Sequence, residues 1–281
     1  MKIIPFISLL RPHQWLKNLM LFFPPFLSGA LFYPGMLARG LFPLVAFCCA
    51  SSATYVINDI FDQESDSRHP RKRFRPLPAG DVHKPAAFVL CGSLFIAGGL
   101  LAWQVSYLFF FFVLLYLCIS VAYSLKFKYL PIVDIFCISL GFVLRLYGGG
   151  EAFGVFISDW LFLTVFLLSI FLSVGKRYSE RRSLGACAGD HRRTLEEYPD
   201  GFLESALYLS GASVLVTYAI FAISRPLLVY TVPLCLFGLL RYLLRIKSGG
   251  EGDPTDALMR DGSLLVVGVL WVALVGLSVY R

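Results

Sequence analysis

Residues 46–66 read AFCCASSATYVINDIFDQESD, an apolar run that closes on an amide and a set of carboxylates. On a helix Asp59, Asp62 and Asp66 stand at i, i+3 and i+7, so they form one stripe, with Asn58 beside it. At a separation of ~6 Å and an effective dielectric near 20, each carboxylate pair repels by roughly 3 kcal/mol. Such a cluster needs a neutralising partner. Mg²⁺ takes oxygen ligands and is usually held by one or two carboxylates together with substrate phosphates. The stretch therefore predicts Asp59, Asp62 and Asp66 as catalytic metal ligands at the end of a membrane span, Asp59 and Asp62 first, and a phosphorylated substrate.

The next residues support that expectation. The loop HPRKRFRPLPAG at 69–80 brings His69, Arg71, Lys72, Arg73 and Arg75 before Pro76 and Pro78 stiffen its return. Lys is a point charge and Arg a planar fork, and both suit phosphate oxygens. Ordinary loop charge accounts for some of these cations, but not for their density beside an acidic cluster.

Of the 281 residues 57% are hydrophobic and 15% charged, and the mean hydropathy is +0.72. No soluble domain of this length buries so much apolar surface, so the chain reads as an all-α integral membrane protein. At about 20 residues per span, apolar runs near 18–34, 41–62, 86–103, 106–124, 131–148, 159–175, 203–223, 227–246 and 263–280 predict nine helices in one bundle over 1–281. Loops 63–85, 125–130, 176–202 and 247–262 are polar and basic, whereas those between them are short and nearly uncharged. With the N-terminal segment, the polar face carries 21 of the 25 Lys and Arg residues. The positive-inside rule places this face in the cytoplasm. The net charge of +7 is thus a topology signal, and no nucleic-acid partner is expected.

No cleavable leader is evident, because Arg11, Pro12, His13 and Lys17 interrupt the first apolar residues. The seven cysteines show no CxxC spacing and read as small core residues rather than as disulfide partners or a zinc site. Arg145 lies inside an apolar span, where an unpaired Arg costs about 2.5–3.5 kcal/mol, so it should face the bundle interior. Asp134 is three turns away, ~16 Å of rise, too far to be its direct partner. Asp253, Asp256 and Asp261 fit helix N-termini and receive no catalytic role.

The stretch YVINDIFDQESDSRHPRKRFRPLPAG at 55–80 resembles the first signature of the UbiA superfamily of intramembrane prenyltransferases, NDxxDxxxD followed by a basic HPxKRxRP loop. That resemblance implies a nine-helix bundle with its active site at the cytoplasmic face. RPHQWLKNLMLFFPP at 11–25, YSLKFKYLP at 123–131, GFVLR at 141–145 and GKRYSE at 175–180 are together similar to the branch that uses polyprenyl phosphates as acceptors for phosphoribosyl. The DxxxD that aromatic prenyltransferases of the superfamily usually carry after the sixth helix is missing from GKRYSERRSLGACAGDHRRTLEEYPDG at 175–201.

The resemblance implies magnesium-dependent transfer of 5-phosphoribosyl from phosphoribosyl diphosphate (PRPP) to polyprenyl phosphate, releasing diphosphate, for cell-envelope polysaccharide precursors in a bacterial plasma membrane. Position by position, it implies Lys72, Arg73, Arg75, Lys176 and Arg177 for the donor's phosphates. Asn58 and Asp66 would complete the metal shell, bind through water or hydrogen-bond the ribose hydroxyls. Tyr178 and Glu180 would contact the ribose, with pairing to Arg181 or Arg182 the alternative for Glu180. Lys17 and Lys128 would serve the lipid phosphate, with Lys126 the alternative to Lys128, and Arg145 is a substrate-binding position inside the bundle. A prenyl diphosphate:aromatic acceptor transferase and a cation-coupled transporter are the competing readings. A monomer and a small symmetric oligomer both fit the apolar helices.

Overall fold

A computed structural model describes residues 3–68, 72–184 and 194–281. His69, Arg71, Cys187 and Asp190 lie outside the described residues. All regular structure among those described is helical. The α-helices are α1 Ile3–Leu10, α2 Phe23–Leu27, α3 Met36–Arg39, α4 Leu41–Phe61, α5 Gln63–Arg68, α6 Lys84–Val105, α7 Tyr107–Leu125, α8 Val133–Phe153, α9 Asp159–Leu184, α10 Thr194–Glu197, α11 Phe202–Ile223, α12 Val232–Lys247, α13 Pro254–Arg260 and α14 Gly262–Tyr280.

Among the described residues, eight helical stretches are long and apolar enough to cross a membrane, built on α4, α6, α7, α8, α9, α11, α12 and α14. They match eight of the nine runs expected from hydropathy. The run near 18–34 takes another form: a 3-10 helix, Pro12–Phe22, that passes directly into α2. Pro24 and Pro25 lack amide protons, and side-chain anchors fix the rest. The Trp15 indole donates to Ser52 Oγ at 2.9 Å, and the Asn18 amide donates to Ser51 Oγ at 3.2 Å. A 3-10 helix rises ~2.0 Å per residue, so with α2 the segment covers roughly 30 Å. It runs from Arg11, paired with Asp59, to Phe26, whose ring lies 6.1 Å from that of Tyr280 at the far end of α14.

Punctuation follows local chemistry. Ser106 separates α6 from α7 in extended conformation and caps α7 by accepting from the Phe109 amide at 3.0 Å. Gly154 closes α8 with a φ of +68°. Five apolar clusters hold the described bundle, of which two are the largest. Leu21, Phe47, Phe109, Tyr116 and Phe153 join the 3-10 helix to α4, α7 and α8. Phe171, Leu207, Leu239 and Tyr242 join α9, α11 and α12. α4 and α8 are the most buried spans and α14 the least. At Gly149 of α8 an added Cβ would sit 2.3 Å from the Leu21 carbonyl oxygen, so this glycine is what admits the 3-10 helix against α8. The six described cysteines are free; Cys91 and Cys137 are buried core residues as expected, Cys48, Cys49 and Cys235 are partly buried, and Cys118 is exposed, which corrects the core reading there.

Candidate active site

The ends of α4, α7, α9 and α12 meet at one end of the bundle, where the polar loops were expected to share a face. Ion pairs join them: Asp62 to Lys128, Arg177 to Asp134, and Asp253 to Lys17 and Lys176.

The acidic stretch is not one continuous helix. α4 ends at Phe61, and Asp62 caps it at φ −91°, ψ 3° before α5 begins. Backbone bonds from Asp62 N to Asn58 O and from Asp66 N to Asp62 O keep the chain close to helical register. Asp62 does not share the partner that joins the other two, so the three carboxylates of the expected stripe divide between separate contacts. Asp62 instead pairs with Lys128 and accepts from Asn58 Nδ2 at 3.0 Å.

Asp59 and Asp66 do converge. Arg75 Nη1 donates to Asp59 Oδ1 at 3.1 Å and to Asp66 Oδ2 at 2.5 Å, so both carboxylates aim at a single nitrogen. Arg11 also pairs with Asp59, and Lys72 Nζ lies 3.6 Å from Asp66 Oδ1. Both aspartates are almost fully buried. A point within reach of two hard carboxylates is a place a divalent cation fits. Among the described residues no set of three His, Cys, Asp or Glu side chains gathers as a metal shell. Substrate oxygens and water would have to complete one.

Arg11 is a member the sequence reading missed. It precedes Pro12, a position that disfavours helical backbone, yet stands in the left-handed region at φ 51°, ψ 61°. This strained geometry lays its guanidinium 5.2 Å over the Tyr55 ring and onto Asp59. Its place six residues before Lys17, ahead of Pro12, was the available signal. Ile132 is a second outlier, a β-branched residue at φ 67° in the turn that follows Lys128. Its amide donates to the Tyr198 hydroxyl at 2.7 Å, and Thr194 Oγ donates to the Lys128 carbonyl at 2.5 Å. These bonds hold Lys128, itself buried, in place.

A second group faces the first. Asp253 Oδ2 accepts from Lys17 Nζ at 3.4 Å and from Lys176 Nζ at 3.1 Å. Burial opposes ionisation of Asp253, but Lys176 and Lys17 outweigh it and hold its carboxyl well below the usual range.

Other expected residues are placed differently. Arg177 is fully buried and spends its guanidinium on Asp134 (2.6 Å), Glu180 (2.8 Å) and the Tyr123 hydroxyl (3.1 Å). Tyr198 donates to the same Asp134 at 2.9 Å, and burial pushes its phenol upward, so it stays a neutral donor. Arg177 and Glu180 thus form an internal ion network rather than an open anion site. Tyr178 packs on the α9–α11–α12 cluster. Arg73 stacks over Phe74 at 4.7 Å and is exposed. Lys126 is exposed, at the C-cap of α7.

Arg145 faces the interior as expected. It donates to Asn18 Oδ1 (2.8 Å), the Gly141 carbonyl (2.8 Å) and the Tyr116 hydroxyl (3.0 Å), with the Tyr116 ring 4.5 Å below it. Asp253 caps α13 and Asp261 caps α14, accepting from Thr255 N and Ser263 N respectively.

The UbiA prenyltransferase family model matches residues 22–264. A decaprenyl-phosphate phosphoribosyltransferase of Mycolicibacterium smegmatis is 32% identical over 292 residues, covering 98% of this chain and 92% of the relative. Its counterpart in Corynebacterium glutamicum is 30% identical over 98% of this chain and 86% of the relative. Among solved structures, a UbiA homolog from Archaeoglobus fulgidus bound to GPP and Mg²⁺ superimposes with a TM-score of 0.77 at 22% identity, over 98% of this chain and 99% of that one.

Proposed function

The chain belongs to the UbiA prenyltransferase family, and from that premise we propose that it transfers 5-phosphoribosyl from PRPP to a polyprenyl phosphate in a bacterial plasma membrane, at a site facing the cytoplasm. The observation that carries this reading is the charge inventory at one end of the bundle. Six cations, Arg11, Lys17, Lys72, Arg75, Lys128 and Lys176, stand against four carboxylates, Asp59, Asp62, Asp66 and Asp253. That surplus suits two phosphorylated substrates. The names of the near-full-length relatives agree with it, and the density of Lys and Arg at this end supports the cytoplasmic side.

In the transfer, the C1–O bond to diphosphate breaks and its electron pair leaves with the diphosphate. A lipid phosphate oxygen forms the new bond to C1. That oxygen is already anionic at neutral pH, so no strong general base is needed. Asp59 and Asp66 would hold Mg²⁺, which when bound supplies charge neutralisation at the diphosphate. For that, Arg75 has to swing from the carboxylates to the phosphate oxygens, where it and Lys72 face the charge that develops on the leaving group. Arg73, exposed at the rim, meets the donor as it arrives. Lys128, fixed by Asp62 and Thr194, directs the lipid phosphate.

The test is direct. Purified protein in detergent with Mg²⁺, labelled PRPP and polyprenyl phosphate should give a labelled lipid. No lipid product from PRPP, with product from a prenyl diphosphate and an aromatic acid instead, would overturn the assignment.

A further inference from the structure

We propose that Asp253 is a positioning residue that holds the ammonium groups of Lys17 and Lys176 together as a seat for a single phosphate monoester. The inference rests on the reading above that the substrates carry phosphate. The sequence resemblance divides these lysines, one for the acceptor and one for the donor. The geometry joins them, although they come from the 3-10 helix and from α9.

Both ammonium nitrogens contact the same oxygen, Asp253 Oδ2, at 3.4 and 3.1 Å. The other oxygen is tied to the Thr255 amide at 3.0 Å, so the carboxylate cannot turn away. Its loop is locked onto α12 and α9 in turn. Tyr242 donates to the Gly252 carbonyl at 2.7 Å, and Ser179 to the Gly250 carbonyl at 2.8 Å. At Gly252 an added Cβ would lie 2.8 Å from Lys176 Cα. The carboxylate is therefore a fixed post.

Each ammonium has three N–H donors, spends one on the post and keeps two. Two nitrogens on one oxygen are close enough to share the oxygens of one phosphate, and the trio keeps one net positive charge. The side chain of Lys17 is only 18% exposed. Asp253 offsets part of the cost of burying its charge. Without the post, two like charges would separate and the buried ammonium would lose its support.

The phosphate monoester has two sources, the 5-phosphate of the donor and the lipid head group, and kinetics separates them. Full-length Asp253→Asn, Asp253→Glu, Lys17→Gln and Lys176→Gln proteins in detergent are assayed for kcat and KM of each substrate in turn. Asp253→Asn should raise KM for one substrate by about tenfold or more with kcat changed by less than about threefold, and Asp253→Glu should restore most of it. Both lysine variants should raise the KM of that same substrate, which names the source. An unchanged or lowered KM for both substrates in Asp253→Asn overturns the proposal, as do lysine variants that act on different substrates.

A second arm needs no turnover, so it stays readable if PRPP proves not to be the donor. Inorganic phosphate titrated by calorimetry should bind the wild type about tenfold tighter than Asp253→Asn. Equal or tighter binding to the variant, or none to the wild type, overturns the seat. Should Asp253→Asn fail to fold, Asp253→Glu and the two lysine variants decide by the same readings.

Discussion

At the scale of single residues, three aspartates with one sequence signature have two roles. Asp59 and Asp66 converge on the nitrogen of Arg75, whereas Asp62 sits in the break after α4 and faces Lys128. Substitution should separate them. Asp59→Asn and Asp66→Asn should each lower turnover by about 10²–10³-fold, the usual cost of losing an electrostatic group in a reacting site. Asp62→Asn should cost nearer tenfold and act on KM for the lipid, because it leaves Lys128 without its guide. Steady-state kinetics on the three variants decides. Equal losses at all three positions would restore the single three-carboxylate stripe that the spacing suggests.

At the scale of elements, the informative piece is the 3-10 helix. It carries Arg11 and Lys17 into the site and is held by Asn18, Trp15 and the close approach of Leu21 to Gly149. Gly149→Ala puts a methyl group against a backbone carbonyl, which cannot move as a side-chain tip would. The expected result is a loss of about 1–3 kcal/mol, read as a lower melting temperature, together with raised KM for the phosphorylated substrates. Hydropathy located this segment but could not give its form. Period and apolarity report which residues avoid water, and a 3-10 helix clipped by Ser52, Ser51 and Arg145 avoids water as well as an α-helix does. The same limit hid Arg11, whose backbone conformation depends on tertiary contacts with Asp59 and Tyr55. By contrast the eight long spans, the caps at Asp253 and Asp261 and the interior placement of Arg145 were legible. Apolar length, capping chemistry and the cost of a bare charge in lipid are local properties of the chain. Arg177 was legible as a cation but not as a partner of Asp134, because that pairing joins helices 43 residues apart.

At the scale of the whole molecule, the polar loops gather at one end and the aromatic contacts of Phe26, Phe32 and Tyr280 at the other. If the segment Pro12–Leu27 traverses the bilayer with the eight regular spans, the two termini lie on opposite sides. A reporter fused after Arg281 should then read the non-cytoplasmic side while one fused before Met1 reads the cytoplasm. Both reporters on one side would reduce the crossings to an even number.

Arg11, Arg75, Lys72 and Lys128 already balance the three aspartates from within the chain. On the proposed mechanism, a newly inserted polypeptide would complete its bundle before it meets metal or donor, with these internal ion pairs standing in for both. Chelation should stop turnover yet shift the melting temperature by less than about 2 °C, whereas a site that relied on metal for its assembly would lose the fold with the ion.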